Sequence, residues 1–343
     1  MDILTALSSD ADYSKTQLEL ILGAWVLSSL VEPRKKIQTG DGHVEEADYD
    51  KASLYSLLYA LYRSVGELPA PNGQKFEMTF NTWGYAWPTE WGHCPIDASD
   101  PQRFGKNAYA GLFQANALHR FIGERKGQVH VVEMGCGTGA GAHLICSEIL
   151  KSCTYEAVDM QSAAIATCNR KFTPKLGGRL KATCANATEL PIPDATADIV
   201  VVNETHVTEE KGIVTPEDRK FFQSARRILK PGGYLVWGNA IPAPTWQPCF
   251  EFLESIGIKK REVRDVTAEA AAARDADEPR VEAFVNHCLN DFWAFRLPVV
   301  GRRRRYEAER AMKNFYRNPG TRLYENLKDG TDSYMVTCFQ KEG

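Results

Sequence analysis

The chain has 343 residues, 43% hydrophobic and 25% charged, an ordinary globular composition with enough length for one large domain and an accessory piece. The 41 basic and 44 acidic residues leave a net charge of −3, which gives no bulk attraction for a polyanion and argues against a nucleic-acid partner. Nine cysteines, several in apolar runs (Cys136, Cys146, Cys168, Cys338), read as buried thiols in a reducing compartment, and no Cys/His cluster has zinc spacing, so no metal is expected.

The opening MDILTALSSDADYSK carries early acids and only a short apolar stretch, unlike a signal or transit peptide. No apolar run approaches the roughly 20 residues that span a bilayer, so the expectation is a soluble, cytoplasmic protein without a membrane span. YSKTQLELILGAWVLSSLVEP (13–33) sets Leu18, Ile21, Leu22, Trp25, Val26 and Leu30 on one helical face and stops at Pro33. DKASLYSLLYALYRSV (50–65) repeats the pattern with Leu54, Leu57, Leu58 and Leu61, and the polar RKKIQTGDGHVEEAD (34–48) between them reads as a loop. The two helices read as a lid over the main domain or as a homodimer surface.

Residues 76–105 are crowded with aromatics, glycine and proline and lack periodicity, which marks a structured loop. NAYAGLFQANALHRFIG (107–123) reads as one helix. From residue 130 the pattern alternates. HVVEM is a strand and GAHLICSEILKS a helix; TYEAVDM is a strand and SAAIATCNRKF a helix. RLKATCAN and ADIVVVNET are strands, DRKFFQSARRIL a helix and GGYLVWGNA a strand. Such alternation implies right-handed crossovers and a mostly parallel sheet with helices on both faces. The stretch 265–318 is helical in composition. TRLYENLKDGTDSYMVTCFQK then reads as two strands around Asp329-Gly330, an antiparallel hairpin.

The first strand of the alternation ends in VVEMGCGTGAG (131–141), with Gly135, Gly137, Gly139 and Gly141 on alternate residues. Lacking Cβ atoms, glycines admit a ligand close to the backbone, and the following helix aims its N-terminal amides at the same place. A dinucleotide fingerprint is G-x-G-x-x-G; here the third glycine comes one residue early, which fits the tighter loop used for S-adenosylmethionine. Asp159 ends the next strand, where a carboxylate takes both ribose hydroxyls. Asn186-Ala187, one strand later, places a side-chain amide by the adenine.

NTWGYAW, NAYAGLFQ, VVEMGCGTGAG, YEAVDM, LPIPDATADIVVVNETH, LKPGGYL and DSYMVTCFQK together resemble class I S-adenosylmethionine-dependent methyltransferases over about residues 76–341. The resemblance is greatest to the small-molecule branch with the phthiotriol and phenolphthiotriol dimycocerosate and tocopherol-type enzymes. It implies an α/β fold: a Rossmann-like, seven-stranded sheet with an antiparallel C-terminal hairpin. It divides the chain into an N-terminal helical extension or lid (1–75) and a methyltransferase domain (76–343) with a helical cap insertion at about 265–318. The cofactor it implies is S-adenosyl-L-methionine, leaving as S-adenosyl-L-homocysteine. The cofactor set is Tyr85, Tyr109, Glu133, Gly135, Cys136, Gly137, Gly139, Asp159, Met160, Asn186, Ala187 and Asn203, with Tyr85 and Tyr109 closing over the ligand. Two departures stand out. Asn186 replaces the family's aspartate but still offers an oxygen to the adenine amine and a donor to a ring nitrogen. The spacing from Glu204 to His206 is one residue shorter than the family's.

Ligands in a doubly wound sheet lie beyond the carboxyl ends of the strands, which puts Asn203, Glu204, Thr205 and His206 at the mouth of the site. His206 is the expected general base for a hydroxyl acceptor, and Glu204 orients it or binds the acceptor. His143 reads as structural; His93 and His287 stand in reserve. The arginines at 302–305 spread over most faces of a helix and read as a solvated surface. No N/D-P-P-Y/F follows the fourth strand and no D-x-D-K signature is present, which argues against methylation of DNA bases or glutamine and against a metal-dependent catechol enzyme. The expected reaction is methylation of a small, partly apolar molecule at oxygen, in secondary or lipid metabolism. Carbon methylation of an enol, alkene or prenyl chain is the alternative, and a non-catalytic protein that keeps the cofactor fold is the third reading.

Overall fold

The run ADIVVVN, Ala197–Asn203, is buried along its whole length in a computed structural model of the chain. A strand apolar on both faces belongs inside a sheet that helices cover from both sides. The structure describes residues 16–17, 20, 22–23, 35–38, 44–47, 78–125, 127–205, 211–298 and 300–343. The helix expected over 50–65, most of the one expected over 13–33, and His206 lie outside them.

Contacts divide the chain into two units, residues 1–79 with 275–323 and residues 80–274 with 324–343. In the first, β1 (Lys35–Gln38) and β2 (Val44–Ala47) pair antiparallel, with Lys35 opposite Ala47. The loop expected over 34–48 thus contains a short antiparallel ribbon.

The second unit holds the seven-stranded sheet. Its elements begin with α1 (Arg103–Leu112), α2 (Asn116–Glu124), β3 (Val129–Met134), α3 (Ala140–Leu144, continued by a π-helical turn at Ile145–Ile149), β4 (Cys153–Asp159), α4 (Ser162–Lys171) and β5 (Leu180–Cys184). They continue with β6 (Ala197–Asn203), α5 (Pro216–Ile228), β7 (Leu229–Pro242), α6 (Trp246–Ser255) and β8 (Ile258–Asp265). The division between the units falls inside α7 (Thr267–Asp291) and α9 (Arg322–Lys328); α8 (Val300–Phe315), between them, belongs to the first unit, and β9 (Asp332–Lys341) ends the second. The sheet order is β5-β4-β3-β6-β7-β9-β8, parallel throughout except for β9, which runs against both β7 and β8. Val131, Tyr155, Ala157, Ile199, Val201 and Val236 feed the core on one face. Val132, Val158, Val200, Val202, Leu235 and Trp237 feed the other. The sequence T-P-E-D starts α5 as a capping box: Thr215 Oγ1 accepts the Asp218 amide at 3.2 Å and Asp218 Oδ2 accepts the Thr215 amide at 2.7 Å.

Three expectations are corrected. Residues 107–123 are two helices, because the last turn of α1 closes on short-range bonds from Phe113 and Gln114 and Ala115 turns extended. The stretch before Asp329-Gly330 is α9 and not a strand. Tyr324 and Leu327 lie three apart and are both buried, a helical spacing, and Asp329 Oδ1 accepts the Thr331 amide in the turn that follows. The antiparallel partner of β9 on the sheet's edge is β8, whose sequence IKKREVRD carries too many charges to read as a core strand. Finally, the arginine run in α8 is not all solvated: Arg304 is 1% exposed, on the same face as buried Ala308 and Ala311, while Arg302 is exposed and Arg305 bonds the Leu289 carbonyl and Asn290. No helix among the described residues is long and apolar enough to cross a membrane.

At the end of the sheet away from the glycine loop, Asp198 is 1% exposed and accepts from Lys230 Nζ at 2.9 Å, the His130 amide at 2.9 Å and Arg125 at 2.5 Å. A buried carboxylate is tolerated only when so paired. Asp198→Ala is expected to lower unfolding stability by about 1.5–3 kcal/mol, the range for charge-assisted bonds, read from urea midpoints.

Candidate active site

The strand order reverses at β3, which has β4 on one side and β6 on the other. Such a switch point opens a crevice beyond the carboxyl ends of the strands. The parallel register sets Met134 opposite Val158, and the chain leaving β3 is fastened there: the Gly135 and Cys136 amides both donate to the Val158 carbonyl, at 2.7 and 2.9 Å.

The four glycines of the loop have different reasons to be glycine. A Cβ on Gly135 would run into the Thr205 side chain, one on Gly139 into Cys168, and one on Gly141 into the Tyr109 ring. Gly137 combines a left-handed φ of +53° with open space where its Cβ would stand. Of the four, it is the one whose backbone is left uncovered, where a ligand could approach closely. Cys136 is buried, with its thiol pushed up by burial and the nearby Glu133.

Asp159 closes β4 as expected. Its Oδ2 accepts the Gly137 amide and its Oδ1 the Gln161 amide, both at 2.8 Å. The carboxylate thereby fixes the loop. Burial raises its pKa, against the pull of the Gln161, Gly137 and Met160 amides. Met160 beside it is 69% exposed. Asn186 caps the turn Ala187–Glu189, its Oδ1 accepting the Thr188 amide at 3.0 Å. One of its oxygen lone pairs is thus taken, and the amide NH₂ is left as its donor.

Behind the loop lies a buried polar group of four. Glu133 is fully buried; its Oε2 accepts the Tyr155 hydroxyl at 3.0 Å and its Oε1 has no partner. The Tyr109 hydroxyl sits beside Glu133 and Asn203, and the Asn203 amide is buried with neither end in a well-formed hydrogen bond. Unmatched buried acceptors and donors of this kind are costly and mark a place where a polar ligand completes the bonding. The group fits an amino-acid tail: an ammonium for Glu133 Oε1, with the ribose at Asp159 and the backbone of Gly137 between them. Burial pushes the Glu133 carboxyl up to about 8, against the lowering effect of the Tyr155 and Tyr109 hydroxyls.

At the end of β6, Glu204 adopts φ +50°, and its carboxylate is engaged. It accepts the Trp83 amide at 2.6 Å, the Gly84 amide at 3.4 Å and the Tyr334 hydroxyl at 2.8 Å. Thr205 Oγ1 donates to the Gly135 carbonyl at 3.0 Å, and Asn239, almost fully buried, reaches the Thr205 carbonyl at 3.4 Å.

The structure therefore brings Tyr109, Glu133, Gly135, Cys136, Gly137, Gly139, Asp159, Asn203 and Thr205 around one loop, with Asn186 and Ala187 following the adjoining strand β5. Tyr85 directly follows Trp83 and Gly84, whose amides donate to Glu204. It is fully buried, edge-on to Trp91 and Tyr334 with ring centroids 5.8 and 5.6 Å away, and its hydroxyl fills the space left by Gly111. His143 packs on Phe172 with its pKa lowered by burial, as a structural histidine does. His93 is on an exposed loop. Tyr155 and Tyr334 were not legible as site residues: each acts through a partner far away in sequence, and nothing local marks it. Among the described residues no cluster of His, Cys, Asp or Glu could hold a metal ion.

The raised Glu133 pKa has a sign that can be checked. The folded state keeps a proton that the unfolded chain releases above 4.5, so the contribution to stability is full below that value and is lost as pH rises toward 8. Without ligand, the stability of wild type relative to Glu133→Gln is expected to fall by ~1 kcal/mol or more across this window, measured by urea unfolding at a series of pH values.

Comparison with known proteins agrees with this geometry. Residues 131–233 match the model of a methyltransferase domain. The chain is 25% identical over 268 residues, 78% of its length and 86% of the relative's, to the phthiotriol/phenolphthiotriol dimycocerosates methyltransferase of Mycobacterium tuberculosis. It is 25% identical over 215 residues, 62% of its length and 67% of the relative's, to the fatty-acid O-methyltransferase of Mycolicibacterium smegmatis. A geranyl diphosphate methyltransferase solved with S-adenosylmethionine shares the fold at a TM-score of 0.50 and 15% identity, covering 77% of this chain and 99% of that one. The cyclase SpnF shares it at 0.53 and 16%, covering 84% and 92%. With its sheet order, its glycine loop and its matched domain, the chain has the class I methyltransferase fold and is an enzyme that transfers methyl groups using S-adenosylmethionine.

Proposed function

We propose that the protein methylates a hydroxyl or carboxyl oxygen of a small, partly apolar acceptor of the lipid or secondary-metabolite class, with His206 as general base. The observation that carries the acceptor class is the similarity, over most of the chain, to enzymes named for dimycocerosate lipids and for fatty acids, the latter an O-methyltransferase. Bound S-adenosylmethionine supplies a methyl group already activated by its sulfonium. The chain's own residues have three tasks. Glu133, Asp159 and the bare backbone at Gly137 hold the amino-acid tail and the nucleoside. Tyr109, whose ring covers Gly141, walls the crevice, and an aromatic face there favours a cation by about 0.5–2 kcal/mol. His206, two residues beyond the strand-end Glu204, takes the proton as the acceptor oxygen gains its methyl. We assign the protein as cytoplasmic.

The test is incubation with methyl-labelled cofactor and fatty acids or long-chain diols. Label recovered as a methyl ester or ether supports the reading; label on carbon transfers it to the carbon-methylating alternative. Gly137→Val, which puts a branched side chain into the open space at φ +53°, is expected to abolish S-adenosylhomocysteine binding in calorimetry, while Cys136→Ala leaves it measurable. With a hydroxyl acceptor, His206→Ala is expected to lower kcat by about 10²-fold or more with cofactor affinity unchanged. The wild-type rate is expected to fall at acidic pH, where a protonated imidazole no longer accepts a proton. Full kcat in the mutant would remove His206 from the role.

A further inference from the structure

Glu204 and Thr205 are neighbours in the chain, and their side chains face different parts of the site. The Glu204 carboxylate gathers the amides of Trp83 and Gly84 and the hydroxyl of Tyr334. Thr205 bonds the carbonyl of Gly135, and its side chain fills the space a Cβ there would need. One dipeptide thus touches the aromatic segment 80–92 at one end and the cofactor loop at the other. Its backbone is held as well: the Glu204 amide donates to the Gly238 carbonyl at 2.8 Å. The left-handed φ of Glu204, +50°, is one a non-glycine residue adopts at a cost of order 1–3 kcal/mol. That conformation persists because bonds from three separate stretches of chain over-determine it. It is also what sets the two side chains on different partners.

We propose that Glu204 and Thr205 form a two-ended latch through which filling the glycine loop orders the aromatic segment 80–92, making both, together with Tyr334, positioning residues for methyl transfer. The energy available is the carboxylate's charge-assisted bonds at one end and the Thr205 bond at the other. A ligand that holds Gly135 and Gly137 in place holds Thr205, and with it the φ that keeps Glu204 beneath Trp83 and Gly84. Glu204 then serves the reaction by fixing the segment, and His206 follows directly on the latch. The proposal rests on the cofactor assignment and not on the acceptor, so its test uses no acceptor and stands apart from the choice between oxygen and carbon.

The experiment is hydrogen exchange of the Trp83 and Gly84 amides in the full chain, with and without saturating S-adenosylhomocysteine, together with calorimetric affinities. In wild type the ligand is expected to slow these two amides by about 5-fold or more. Thr205→Val keeps the shape against Gly135 and loses the bond; at saturating ligand the slowing is expected to vanish. Glu204→Gln is expected to exchange fast in both states and to bind the ligand about 5-fold more weakly, with Tyr334→Phe intermediate in both measurements. A purely structural role would alter exchange without altering its response to ligand. The proposal is overturned if wild-type exchange at Trp83 and Gly84 ignores the ligand, if Thr205→Val keeps the full response, or if both Glu204→Gln and Tyr334→Phe bind within twofold of wild type.

Discussion

The Val158 carbonyl receives two amide protons, from Gly135 at 2.7 Å and Cys136 at 2.9 Å, and the ligand end of the sheet depends on that meeting. It requires β3 and β4 to be parallel neighbours in register, with Met134 beside Val158, which buried apolar strands enforce because a one-residue slip would turn every side chain to the wrong face. Once the carbonyl has pinned the chain, Gly137 comes within reach of Asp159, whose two oxygens then hold Gly137 and Gln161. Loop and carboxylate are each the other's support, so neither is simply a ligand contact.

That architecture carries an electrostatic cost. Glu133 lies in the middle of the sheet with one oxygen satisfied by Tyr155 and the other unmatched, and Asn203 at the end of the neighbouring strand is also buried without well-formed bonds. An apolar core with the same shape would be more stable. Proteins keep such groups where function needs them, and here they lie around the loop whose one open position is Gly137. The binding surface is therefore partly a set of bonds withheld from the fold, available to a cationic, hydrogen-bonding ligand.

The parallel sheet was legible because its signals are local. Alternating apolar strands and helices, E-x-G-x-G-x-G after the first strand and an acid after the second are read within short windows. What escaped was non-local or ambiguous. β8 is so charged that only its pairing with β9 makes it a strand. Asp329-Gly330 carries a hairpin's residues, yet Tyr324 and Leu327 commit the preceding turn to a helix. Tyr85 reads as a lid from its place in NTWGYAW, but the absence of a side chain at Gly111 draws its hydroxyl inward. Glu204 reads as orienting His206 or binding the acceptor; its bonds to the distant Trp83, Gly84 and Tyr334 leave no local signal.

The sheet's strand order bears on how it is assembled. β9 is the last strand in chain order yet lies between β7 and β8. During synthesis β7 and β8 emerge with nothing between them, and the residues of α7, α8 and α9 must follow before the strand that joins them appears. Until then β7 presents an open edge and β8 has no partner in the sheet, a state in which unpaired strand edges invite association with other chains. The parallel half, β3 to β6, can already pair while this gap stays open. The closing strand therefore inserts between two strands already made, and the charges of IKKREVRD disfavour pairing of β8 with other chains before then.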